Sequence, residues 1–160
     1  MTLSVIKADV GSIGGHTKPS ERMLALVRSR VADAIGDGLL IDGVVSHTGD
    51  DIAITMSHTR GTGAKDIHQF AWNCFLASTA EAQRAGLYGA GQDLLIDAPA
   101  GNIRGAGPAV AEIEFVRDPA SKNRPAEAFT VFAADKCGPG AYNYPLYSAF
   151  CDPMHDGGLL

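Results

Sequence analysis

Residues 39–58 read LLIDGVVSHTGDDIAITMSH, and the organisation of the chain turns on them. Two apolar runs rich in β-branched residues, at about 39–48 and 52–58, flank Gly49-Asp50, a dipeptide suited to tight reversal. The stretch predicts two adjacent strands joined by a short turn. At the reversal stand two neighbouring carboxylates, Asp50 and Asp51. Neighbours on a strand face opposite ways, but at a turn both can enter one cleft. A surface turn that simply favours aspartate is the plain alternative.

Upstream, residues 3–8 read as a buried strand ending at Asp9. Gly11 to Pro19 form a glycine-rich loop, and Ser20 is a good N-cap for a helix to about Ile35. Met23, Leu26, Val27 and Val31 make its apolar stripe, and Gly36 and Gly38 stop it. Downstream, Lys65 to Arg84 predicts a second helix with Ile67, Phe70, Ala71, Cys74 and Phe75 inward, closed by Gly86. Gly91 to Ala98 predicts a short helix. Residues 109–117 and 128–134 read as strands around the polar, proline-bearing loop Asp118 to Glu127. This order gives an α+β (mixed α/β) fold, a sheet packed under two helices. A chain of 160 residues suits one domain.

The bulk properties exclude several classes. A net charge of −5 with no basic run argues against a nucleic-acid partner. No apolar run approaches 18 residues, which argues against a membrane span. The start lacks the basic-then-apolar pattern of a signal peptide. Cys74, Cys137 and Cys151 show no zinc spacing and cannot all pair, so a reduced, cytoplasmic protein is expected. The final Asp156-Gly157-Gly158-Leu159-Leu160 begins an apolar run, as part of something longer would.

The chemistry lies at the strand ends. Asp9, Asp50, Asp51 and Asp135 each stand where an apolar run begins or ends. Hard oxygen ligands converging on a cleft are how a protein holds magnesium against a phosphate. After Asp9, the loop Val10-Gly11-Ser12-Ile13-Gly14-Gly15-His16 returns a histidine toward the strand end. Its glycines let backbone amides approach a phosphate. The Gly-Lys-Ser/Thr element of a nucleotide P-loop is absent. Two further glycine loops span residues 86–93 and 101–108; Arg104 in the second could meet a phosphate, or both could be caps and turns. Asp135-Lys136 is either a solvated ion pair or a site pair. His47, His58, His68 and His155 show no metal spacing, and Trp72 and the aromatics of 142–150 suit core or interface.

Taken in order, the blocks 7–16, 49–51, 86–93, 101–108 and 134–141 resemble the fructose-1,6-bisphosphate aldolase/phosphatase family across essentially all of the chain. The resemblance implies a magnesium-dependent bifunctional enzyme of gluconeogenesis. Such an enzyme condenses dihydroxyacetone phosphate with glyceraldehyde 3-phosphate through a lysine Schiff base, then hydrolyses the 1-phosphate to give fructose 6-phosphate. It implies a four-layer α-β-β-α sandwich, of which residues 1–160 form the N-terminal part, and a homo-octamer. Carried over, Asp9, His16, Asp50, Asp51, Gln92 and Asp135 are expected as Mg2+ ligands. His16, Tyr88, Gly101, Asn102 and Lys136 are expected to contact phosphorylated sugars and triose phosphates. Cys137 stands where the family pattern has threonine.

The family enzyme is more than twice this long, and its Schiff-base lysine and catalytic tyrosine are expected beyond residue 160. Lys136 does not suit the nucleophile's role, because adjacent Asp135 favours its charged form, which clamps phosphate rather than attacking a carbonyl. Two other readings stay open: a non-catalytic half-length magnesium and phosphosugar-binding module, and an unrelated magnesium phosphatase.

Overall fold

The computed structural model describes residues 1–14, 16–94 and 107–115. Four strands, β1 (Thr2–Asp9), β2 (Asp42–Thr48), β3 (Asp51–His58) and β4 (Ala109–Glu114), form an antiparallel sheet in the order β2-β3-β1-β4. Two helices, α1 (Glu21–Gly36) and α2 (Lys65–Arg84), pack on one face. Among the described residues the fold is mixed α+β, with one sheet layer and one helical layer: half of the four layers that the resemblance implies. No helix among the described residues is long and apolar enough to cross a membrane.

Alternation along the strands sorts the sheet into two faces. Ile6 and Ala8 of β1 and Ile52, Ile54 and Met56 of β3 point to the helices, where they pack with Met23, Leu24, Val27 and Val31 of α1 and Ile67, Ala71, Cys74 and Phe75 of α2. Leu3, Val5, Lys7 and Asp9 alternate onto the other face with Asp51, Ala53 and Thr55. The α1 stripe is rotated slightly from the expected one, with Leu24 buried and Leu26 only half-buried. Ser20 caps α1 as expected, its Oγ accepting the Met23 amide at 3.3 Å.

Three expectations are corrected. The predicted strand at 39–48 begins at Asp42. The amides of Leu39 and Leu40 bond back to the Ala34 carbonyl at 2.9 and 3.1 Å, after Gly38 turns the chain at φ +73. These leucines close a helix rather than open a strand, and Leu40 plugs the core beneath it. Residues 91–94, predicted to begin a short helix, form turns. The strand expected at 109–117 ends at Glu114, and that at 128–134 lies outside the described residues.

At the sheet end remote from Asp9, a polar chain that is buried at Ser4 and His58 and half-buried at Glu112 ties three strands to α2. The Arg60 amide donates to His58 Nδ1 at 3.2 Å, so His58 Nε2 carries the hydrogen that meets Ser4 Oγ at 2.8 Å. The Ser4 hydroxyl then donates to Glu112 Oε1 at 2.7 Å. Glu112 also accepts the Gly63 amide at 2.6 Å and His68 Nε2 at 3.0 Å. Burial alone would raise the Glu112 carboxyl, but Ser4, Gly63 and His68 together hold it below the usual range.

Candidate metal centre

The antiparallel sheet brings the C-terminal end of β1, the β2–β3 turn and the start of β3 to one place. Asp9 and Asp51 are cross-strand partners, and Asp50 sits in the turn beside them. The loop after β1 is pinned at both ends. Gly11, at φ +140, lies so close to α2 that a Cβ there would stand 2.4 Å from Ala82 Cβ. Ser12 and Tyr88 exchange backbone hydrogen bonds of 2.8 and 3.1 Å, and the Thr17 amide reaches Ser12 Oγ at 2.9 Å.

This loop turns His16 back over the acids. His16 has φ +54, a left-handed conformation costing roughly 1–2 kcal/mol in a residue other than glycine. Its Nδ1 lies 2.7 Å from Asp50 Oδ2 and 3.4 Å from Asp9 Oδ2. The Tyr88 ring meets the imidazole edge to face at 4.8 Å. Asp9, His16 and Asp50 each offer a ligand atom, and these atoms lie within 4.8 Å of one another.

Asp9 is 3% exposed, and its carboxyl is pushed up to about 8. Burial is the largest cause; the charges of Asp50, Asp93 and Asp51 add to it, and the Gly11 amide opposes them. A divalent cation supplies the opposite influence and favours the ionised acid.

Two buried oxygens test whether a cation suits this place. Among the described residues, Asp9 Oδ1 and Gln92 Oε1 have no hydrogen-bond partner. A Cβ at Gly89 would lie 3.2 Å from Gln92 Oε1 and 3.9 Å from Asp9 Oδ1, so both oxygens border the space left by that missing side chain. Orphaned buried acceptors cost roughly 1–3 kcal/mol each, and a hard cation satisfies groups that can only accept. The carboxylates and the amide oxygen of this set suit such an ion, and the imidazole of His16 is its less usual member.

Of the residues expected from the sequence, Asp9, His16 and Asp50 form the tight group, and Gln92 adjoins it. Asp51 stands alongside Asp9 with one oxygen held by Lys7 Nζ. Tyr88 meets His16 edge to face and remains 42% exposed. Gly101, Asn102, Arg104, Asp135 and Lys136 lie outside the described residues. Two participants had no role in the sequence reading. Lys7 precedes Asp9 by two positions and so shares its face, which was the available signal. Asp93 binds the backbone of Asp9, and nothing in its local sequence announces a bond made 84 residues away.

The chain matches the family model for fructose-1,6-bisphosphatase over residues 1–160. It is 54% identical to a fructose-1,6-bisphosphate aldolase/phosphatase of Thermus thermophilus, over 100% of this chain and 42% of that protein. Identity is 52% to the protein of that name from Cenarchaeum symbiosum and 48% to that from Moorella thermoacetica, in each case over 100% of this chain and 40% of the relative. The chain thus spans about two fifths of the length of these curated relatives.

Proposed function

The chain belongs to the fructose-1,6-bisphosphatase family, and from that premise we propose that it forms the N-terminal part of a single-domain, bifunctional fructose-1,6-bisphosphate aldolase/phosphatase. The enzyme condenses dihydroxyacetone phosphate with glyceraldehyde 3-phosphate through a lysine Schiff base and hydrolyses the 1-phosphate of the product. It works in gluconeogenesis, in the cytoplasm, as a homo-octamer, with sugar phosphates rather than nucleic acid or membranes as its partners. Asp9, His16, Asp50, Asp51, Gln92 and Asp135 hold Mg2+. His16, Tyr88, Gly101, Asn102 and Lys136 contact substrate.

The observation that carries this reading is the Asp9–His16–Asp50 group beside the orphaned oxygens of Asp9 and Gln92. Bound Mg2+ supplies neutralisation of phosphate charge and a more acidic water at such a site. The chain's own residues set the stage for it. Asp50 anchors His16 through Nδ1 and so orients the ring, and Tyr88 supports that ring from the side. Lys7 fixes one oxygen of Asp51. The proton retained at Asp9 must leave before its carboxylate can take a cation.

The test is phosphate release from fructose 1,6-bisphosphate by the full-length protein. Hydrolysis should vanish in chelator and return with Mg2+, and triose phosphates should yield fructose 6-phosphate. Undiminished hydrolysis in chelator would remove the reading. Binding of Mg2+ and sugar phosphate without any turnover would replace it with the binding module.

A further inference from the structure

β4 leaves β1 after the Lys7–Ala109 pair, two residues short of Asp9. From there, the outer edge of β1 has no partner from β4. The loop after α2 takes over that edge. The Gly91 amide donates to the Val10 carbonyl at 3.1 Å. Asp93 then treats Asp9 as a neighbouring strand would. Its own amide donates to the Asp9 carbonyl at 3.0 Å, and its Oδ2 accepts the Asp9 amide at 2.8 Å. One residue thus satisfies both backbone groups of Asp9, one with main chain and one with side chain. Gln92 is the intervening neighbour and is 2% exposed.

We propose that Asp93 is a positioning residue for the metal centre, clasping the backbone of Asp9 so that Asp9 and Gln92 present their buried oxygens to one cation. The inference rests on the metal-centre reading above. Asp9 and Gln92 come from segments far apart in the chain; the Ser12–Tyr88 pair joins those segments further along, and two interactions lock them together beside the two oxygens. The first is the Gly91–Val10 bond; the second is the Asp93 clasp, which acts at the residue that carries the carboxylate. Supporting residues of this kind orient the groups that touch the ion, and they govern affinity without touching it themselves. What the clasp requires of Asp93 is an acceptor oxygen, not a charge. Asparagine supplies the oxygen; alanine does not.

The experiment uses the full-length protein with Asp93→Ala, Asp93→Asn and Asp9→Asn. Two readouts are independent of turnover: Mg2+ affinity by calorimetry above pH 8, where Asp9 is ionised with or without the Asp93 charge, and amide hydrogen exchange of peptides covering Asp9. Asp93→Ala should speed exchange at Asp9 and weaken Mg2+ binding by about tenfold or more, while Asp93→Asn should stay within about threefold of the parent. Parental affinity and parental exchange in Asp93→Ala overturn the clasp. Equal losses in Asp93→Asn and Asp93→Ala also overturn it, because charge would then be the agent. If Asp93→Ala does not fold, Asp93→Asn decides: parental exchange and affinity support the clasp, and loss of either refutes it. Asp9→Asn separates the two levels. Lost Mg2+ affinity there, with none lost in Asp93→Ala, refutes only the clasp. Parental Mg2+ affinity in Asp9→Asn refutes the metal centre and the clasp together.

Discussion

Asp9 concentrates the chemistry of this chain in one carboxyl group. Unfolded, it ionises near 3.8; folded and without a cation, it keeps its proton up to about 8. Between those values the folded chain binds more protons than the unfolded one. The stability Asp9 contributes is therefore complete below 3.8 and is lost as the pH rises through about 8. A cation acts in the opposite sense, because it binds the ionised acid. The melting temperature of the metal-free protein should thus fall as pH rises through this window, Mg2+ should reduce the fall, and Mg2+ affinity should climb toward pH 8. Mg2+ affinity that does not change with pH would show that Asp9 is no ligand. Asp50 touches His16 and lies in the same group, so Asp50→Asn should lower hydrolysis of fructose bisphosphate by about a hundredfold or more, a larger loss than supporting residues cause. Near-parental turnover would count against its role. At this scale much was legible. Strand-end acids and a histidine returned by a glycine loop are local patterns. The left-handed backbone of His16 and the Asp93 clasp were not: no glycine marks the first, and the second joins residues 84 apart.

Elements meet at two glycines whose missing side chains set how closely they pack. A Cβ on Gly43 would stand 2.7 Å from Val31 Cγ1, where β2 crosses α1. Val31 is buried and stiff at χ1, so it has little room to yield. Gly43→Ala should cost about 1–3 kcal/mol. Gly11→Ala should cost more, because Ala82 has no rotamer to change and φ +140 is itself unfavourable. Gly36→Ala, at a helical position, meets nothing within 4 Å and should melt at or above the parent. A Gly43→Ala melt indistinguishable from that of Gly36→Ala would show that the seam is looser than its geometry. The two helices were readable from the sequence because each carries many turns of one period. The start of β2 was not, because Leu39 and Leu40 look the same whether they extend a strand or close a helix; the backbone bonds to Ala34 decide it. The order β2-β3-β1-β4 was equally hidden, since alternation marks a strand without naming its neighbour.

For the whole molecule, the question is what lies against the sheet face away from the helices. Leu3, Val5, Ala53 and Ala111 share that face, and Val44 and Ile113 on its flanking strands are 59% and 52% exposed among the described residues. The sequence reading placed this chain in a four-layer sandwich by resemblance, and periodicity alone could reach only the two layers built from local patterns. If the remaining layers cover this face in the full-length protein, Val44 and Ile113 are core residues there. Replacing both with lysine would then bury two unpaired charges. Val44→Lys with Ile113→Lys should destabilise the full-length protein by more than about 2 kcal/mol, whereas surface substitutions usually stay within about 0.5 kcal/mol. Denaturant midpoints measured with the Mg2+ concentration held fixed read this directly, provided unfolding is two-state. A double variant that unfolds with the parent would leave this face in solvent, and the four-layer arrangement would have to be abandoned.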